Sequence, residues 1–343
     1  MTKELNFNCA ATMIGSVPYT DPAAACAVIT KYLKDWPAWP QMPLRANLEN
    51  MYIQYSQGFP GIRINDQKIS FQRRTDTDQL IERIISDSLE DNFSDYAVGK
   101  EYAAGLDYCV ENTGLPLPAL KGQVTGPISW GLCVTDHDGR GIIYDEMLAE
   151  TAARFLRLKA AWQEAELKKR TKNTIIFIDE PYLASLGSAF VALSSEQVAS
   201  LITEVLGGIK GLKGIHCCGS TDWSLLLGLP LDIINFDAYS YLDSFLCYPA
   251  AINTFLDKGG AIAWGIVPND EEVLKKESLA QLNDRFCEAV NALVRPGFSF
   301  KDMVRRSLVT PTCGLTSLSP ESAEYVFSLL KELSEKVSRK YSG

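Results

Sequence analysis

At 343 residues, with ordinary apolar and charged fractions, the chain is long enough for one large barrel domain or two medium ones. Its net charge of −9 argues against a non-specific nucleic-acid binder, whose phosphate contacts need a basic surface, so no nucleic-acid partner is expected. No apolar run reaches the length of a membrane span and the opening residues lack a signal-peptide pattern, which predicts no membrane partner and a cytoplasmic location.

Short apolar, β-branched runs recur along the chain, each followed by a stretch of helical periodicity, the pattern of a parallel sheet with crossover helices. The predicted strands cover residues 9–15, 36–41, 120–124, 174–178, 214–218, 232–236, 261–264 and 307–309, the second being the weakest. Amphipathic helices are predicted over 144–169, 195–207, 279–293 and 320–337. Eight such units over this length predict an α/β fold of the (β/α)8 TIM type, as a single domain over 1–343. The competing doubly wound sheet lacks its sign, because no G-x-G-x-x-G turn follows the first strand. No Pro/Gly/Ser-rich linker divides the chain, and the polar stretch 51–72 reads as a hairpin or a loop beside the barrel mouth.

In a barrel of this type, residues at the C-terminal ends of the strands face one another across the active-site opening. The fifth strand ends in His216-Cys217-Cys218. Residues i and i+2 of a strand share a face, so His216 and Cys218 point together and Cys217 points away. Two ligands from one strand end make half a zinc site, and the soft partner most suited to complete it is Cys313, in Thr310-Pro-Thr-Cys-Gly-Leu. The predicted set is His216, Cys218 and Cys313, with a fourth position open to substrate. The other reading is burial without chemistry, since cysteine is among the most buried residue types, and Cys9, Cys26, Cys109, Cys133, Cys247 and Cys287 are read that way. Nine cysteines without framework spacing fit a reducing compartment, and no disulfide is expected. Asp237, at the end of the sixth strand, reads equally as a hard extra ligand, a partner of His216 or a helix cap. Asp179 and Glu180, ending the fourth strand, read as a site for an amino group or as carboxylates at a helix N-terminus.

Taken together, Ile14-Gly15-Ser16-Val-Pro, Lys121-Gly-Gln-Val-Thr-Gly-Pro127, Ile178-Asp-Glu-Pro181, His216-x-Cys218 and Pro311-Thr-Cys-Gly-Leu315 resemble, in order, the C-terminal catalytic barrel of the cobalamin-independent methionine synthase family, within the uroporphyrinogen decarboxylase-like superfamily. The resemblance implies a methyltransferase that makes methionine from homocysteine, with Zn2+ held by His216, Cys218 and Cys313. Asp237 stands near the family's glutamate ligand and is one methylene shorter. Ile14, Gly15 and Ser16 match the homocysteine-binding opening, where Ser16 would take the amino-acid carboxylate; Asp179 would take the ammonium, with Glu49 as a stand-in for a second family carboxylate. Family members that use methyltetrahydrofolate carry an Asp-x-His element after the seventh strand, thought to protonate the departing amine. Here that place reads Trp264-Gly-Ile-Val-Pro268, and the only histidine besides His216 is His137, in a polar loop. A folate nitrogen leaves poorly without such an acid, at a cost of about 10² to 10⁴ in rate, whereas a methylated corrinoid needs no proton. The expected donor is therefore a methylcorrinoid, carried by a partner protein. Transfer to another thiol such as coenzyme M, or a non-catalytic zinc or corrinoid-binding module, are the alternatives.

Overall fold

A computed structural model of the chain describes residues 5–112, 117–188 and 191–341. Seven strands form its main sheet: β1 (Ala10–Ala11), β2 (Leu120–Thr125), β3 (Thr174–Asp179), β4 (Leu212–Cys217), β5 (Ile233–Phe236), β6 (Ala261–Val267) and β7 (Ser307–Pro311). All neighbours are parallel, in the order β1-β7-β6-β5-β4-β3-β2. From β2 to β7 each strand pairs with the next in sequence, β1 pairs with β7, and helices make the crossovers.

The expected closed ring of eight strands is corrected here. Residues 36–41 form no strand, only single parallel bridges, Ala38 to Lys121 and Ser16 to Gln41. Pro37 and Pro40 explain this, because neither has an N–H to donate to a ladder. The backbone bonds that remain are few. Lys121 N donates to Pro37 O at 2.8 Å and Trp39 N to Lys121 O at 3.3 Å on one side; Gln41 N donates to Gly15 O at 3.0 Å and Val17 N to Gln41 O at 2.9 Å on the other. The seven-stranded sheet is thus a part-barrel whose two edges meet along this proline-bounded segment, an arrangement compatible with a TIM-like fold.

The predicted helices start where their caps dictate. Asp145 accepts from Leu148 N, so the long helix runs Glu146–Lys168, and Ser194 with Gln197, and Ser278 with Gln281, close capping boxes on Ser195–Gly207 and Leu279–Asn291. The last helix, Pro320–Tyr341, is four residues longer than predicted. Residues 51–72 supply a short helix, Met51–Gln54, and an antiparallel hairpin, Ile62–Asn65 with Lys68–Phe71, onto which Val134–Thr135 adds in parallel.

Alternation along each strand separates two cores. Ile176, Ile178 and Ile215 face outward into the layer beneath the helices. Ile175, Phe177, Leu212, Ile233 and Leu308 face inward, with Leu5 and Phe7, so the interior is apolar at its base. Its polar layers lie toward the strands' C-terminal ends. Among the described residues no helix is long and apolar enough to cross a membrane.

Candidate metal centre and substrate cavity

Strand register creates the site. Thr125 pairs with Asp179, Asp179 with His216, His216 with Asn235, and Asn235 with Ala263, one position on each of five adjacent strands. Residues paired across parallel strands point to the same side, so this belt turns Asp179, His216 and Asn235 toward the interior together.

Asn235 determines what His216 can offer. Its Nδ2 donates to the Ala263 carbonyl at 2.7 Å and to Thr310 Oγ1 at 2.9 Å. A backbone carbonyl only accepts, so the amide orientation is fixed and Oδ1 faces His216 Nδ1. Nδ1 must therefore carry the proton, leaving the Nε2 lone pair free. Nε2 is buried and has no hydrogen-bond partner among the described residues. Together with the sulfurs of Cys218 and Cys313 it forms a group of ligand atoms all within 4.8 Å of one another. Cys217, by contrast, is buried on the opposite face with its thiol against Gly219 O, as the strand alternation requires.

The two thiols are unequal. Cys313 donates to Cys218, and that bond, with His216 alongside, holds Cys218 well below the ordinary thiol range despite its burial. Cys313 is pushed up as the donor and by burial. One imidazole nitrogen and two soft sulfurs, with one sulfur readily deprotonated, fit zinc in a three-ligand site with an open fourth position.

These groups open onto a cavity of about 350 Å³ whose walls include Ile14, Ser16, Gln41, Glu49, Tyr52 and Asp179. Asp179 is buried, and its Oδ1 has no hydrogen-bond partner among the described residues. Burial pushes its carboxyl up to about 6, against the lowering effect of Lys121 and His216. Ser16 sits beside Gly314, where a Cβ would lie 2.1 Å from the Ser16 hydroxyl, so only glycine allows the Cys313 loop so close. At Gly15 a Cβ would fall 2.6 Å from Gln41 Oε1 and 2.8 Å from Gln123 Cδ, so a larger residue would displace these two buried side chains; Gly15 supports the wall without lining it.

Two expectations, for Glu180 and Cys247, need revision, and of the three readings of Asp237 the helix cap is the one its hydrogen bond matches. Glu180 is fully buried on the far side of the strand end, where it accepts from Ile128 N, Ser129 N and Ser129 Oγ; it anchors the helix Pro127–Cys133 and is not paired with Asp179 at the cavity. Asp237 is outside the ligand group and accepts from Ser240 N at 2.9 Å, capping the helix Ala238–Leu246, while the partner of His216 is Asn235. Cys247 is exposed instead of buried in the core. Glu49 does line the cavity, but its two oxygens are already engaged by Arg45 and Met42 N. Sequence reasoning missed the roles of Asn235, Gln41 and Tyr52. For Asn235 there was a signal, an amide inside the apolar run Ile233-Ile-Asn-Phe.

Solved structures share the fold of this chain over nearly their whole length. A B12-independent methionine synthase from Shewanella sp. W3-18-1, in complex with selenomethionine, superposes with a TM-score of 0.58 at 14% identity, covering 97% of this chain and 98% of that one. A putative vitamin-B12 independent methionine synthase from Listeria monocytogenes gives 0.56 at 12% identity, with 98% and 99% covered. A methyltransferase from Methanosarcina mazei gives 0.59 at 13% identity, with 100% and 96% covered. At such identities the likeness is one of fold. No protein-family model and no curated protein matches the chain.

Proposed function

We propose that this chain is a zinc-dependent methyltransferase, a single cytoplasmic domain over residues 1–343, that moves a methyl group onto the thiol of homocysteine to form methionine. The donor in this reading is a methylated corrinoid on a partner protein in preference to methyltetrahydrofolate. The observation that carries it is the convergence of His216 Nε2 and the Cys218 and Cys313 sulfurs on a cavity that also holds a buried carboxylate oxygen with no hydrogen-bond partner among the described residues. The fold shared with two proteins named as methionine synthases supports the same reading.

Zinc held by His216, Cys218 and Cys313 would act as a Lewis acid and favour the thiolate form of an incoming thiol, the nucleophile at neutral pH. The chain's own groups do the rest. Asn235 keeps the His216 ring in one tautomer and one orientation. Asp179 offers its free oxygen to the acceptor's ammonium, and Ser16, with nearby backbone N–H groups, its hydroxyl to the carboxylate. Gripping the two charged ends of the amino acid aims the sulfur. In the transfer a sulfur lone pair forms the new S–C bond while the methyl–cobalt bond breaks, and its electron pair departs on the corrinoid cobalt. No proton is needed by that leaving group. This suits a cavity in which residues 264–267 are buried and the second histidine, His137, has a side chain 86% exposed in a separate loop.

Anaerobic incubation of the zinc-loaded protein with homocysteine and methylcobalamin tests the reading. Methionine formed in step with loss of the methyl–cobalt absorbance supports acceptor and donor together. Efficient turnover with methyltetrahydrofolate, and none with methylcobalamin or a methyl-corrinoid protein, would remove the corrinoid. Zinc K-edge spectroscopy that shows no added sulfur with homocysteine would point to a binding module.

A further inference from the structure

Lys121 lies wholly inside the part-barrel, and the chemistry described above does not use it. Its Nζ donates to the Ile14 carbonyl at 2.5 Å and to Gln123 Oε1 at 3.4 Å, and it stands 4.4 Å from the centroid of the Phe177 ring. Two oxygens and an aromatic face thus occupy its three N–H directions. Among the described residues no ion pair joins Lys121 to a carboxylate, and burial lowers the ammonium to about 8, with Asp179 the only charge that supports it. A buried cation without a close counter-ion opposes folding, and an unbranched apolar side chain would fill this space at less cost. The charge therefore calls for a reason outside stability.

Its position supplies one. The carbonyl it grips belongs to Ile14, which lines the cavity two residues before Ser16. Its own backbone N and O bond Pro37 O and Trp39 N, and Gln123, held by the same ammonium, donates to Trp39 O at 3.3 Å. One residue thus ties together β2, the wall 14–16 and the proline-bounded segment.

We infer that Lys121 is a positioning residue of the acceptor pocket: by gripping the Ile14 carbonyl, its ammonium sets the Ile14-Gly15-Ser16 wall against which the carboxylate end of an amino-acid thiol rests. The inference rests on the acceptor reading above. Calorimetric binding to the zinc-loaded protein tests it with two probes, homocysteine and 3-aminopropane-1-thiol, which keeps the thiol and ammonium but lacks the carboxylate. Lys121→Met weakens homocysteine binding by about 10-fold, the scale of one charge-assisted hydrogen bond, with zinc content unchanged and the second probe affected less than about 2-fold. Ser16→Ala weakens homocysteine similarly, and the double variant is no weaker than the weaker single one, because both changes act through one wall. Unchanged homocysteine binding, equal losses for both probes, or additive losses would each overturn the positioning role. Should Lys121→Met not fold, Lys121→Gln is read by the same criteria. Wild-type protein that binds neither probe overturns the acceptor reading, and the inference with it.

Discussion

The Oδ1 of Asn235 faces the Nδ1 of His216, and the amide of Asn235 cannot turn over, because its other end donates to a backbone carbonyl. Replacing Asn235 with Leu frees the imidazole to rotate or to change tautomer. Outer-shell partners of this kind typically contribute 10–100-fold to metal affinity. Asn235→Leu should weaken zinc binding by about that factor in competition with a chelating indicator, while the thermal midpoint of the metal-free protein moves little by comparison.

Cys218→Ser and Cys313→Ser should each lose zinc and methyl transfer together, since a hydroxyl is a far poorer soft-metal ligand than a thiolate. Metal analysis after gel filtration decides it. A variant that keeps its full zinc content would take that cysteine out of the ligand set.

Asp179 is poised so that acid should disarm it. Burial raises its carboxyl to about 6, so the carboxylate that would pair with an ammonium is lost as pH falls through that value. Below 6, homocysteine affinity should fall by up to about tenfold per pH unit beyond the dependence set by thiol deprotonation, and Asp179→Ala should remove that additional dependence. The same shift acts on stability with the opposite sense. A carboxyl raised in the folded state favours folding below its unfolded value of 3.8 and loses that contribution as pH rises through about 6.

Lys159 gives a pH effect far from the site. It is 1% exposed, donates to the Ala97 carbonyl at 2.8 Å, and burial lowers it from 10.5 to about 7. Its cost to the folded state is fully present below about 7, where both states hold the proton, and is lost as pH rises toward 10.5, where only the unfolded chain still binds it, so stability should rise with pH from about 7 to 10. The shift corresponds to about 5 kcal/mol, and the Ala97 carbonyl left unpartnered in Lys159→Met offsets ~1–2 of it. Urea melts should show that variant more stable by about 3 kcal/mol near pH 6, with the gain shrinking toward pH 10.

Much of this was legible because sequence patterns report on faces and ends. Apolar runs located seven strands, and a His-x-Cys pair sharing one face of a strand end, with a distant cysteine to complete it, located His216, Cys218 and Cys313. The same period-two rule, applied to Asp179 and Glu180, would have sent them to opposite sides, as the structure does. What was not legible depends on contacts between distant segments. The amide inside the run Ile233-Ile-Asn-Phe marks Asn235 as unusual, but that its partner is His216 comes only from register between strands. Gln41 and Tyr52 reach the cavity from the long connection between β1 and β2, where periodicity is weak. Residues 36–41 looked extended enough for a strand, but their prolines had already removed the donors a strand needs.

Those prolines also determine where the wall of the cavity has the fewest backbone bonds. Elsewhere the ring is laced by continuous ladders, but between β1 and β2 it is fastened at a few points, and this seam carries Gln41 directly at the cavity edge. Amides of Trp39 and Gln41 should exchange with solvent orders of magnitude faster than those of Ile176 or Ile215, as hydrogen-exchange mass spectrometry would show. A bulky donor approaching the mouth would then meet one sparsely bonded side and one side of continuous ladders, and His216 and Cys218 stand on the latter.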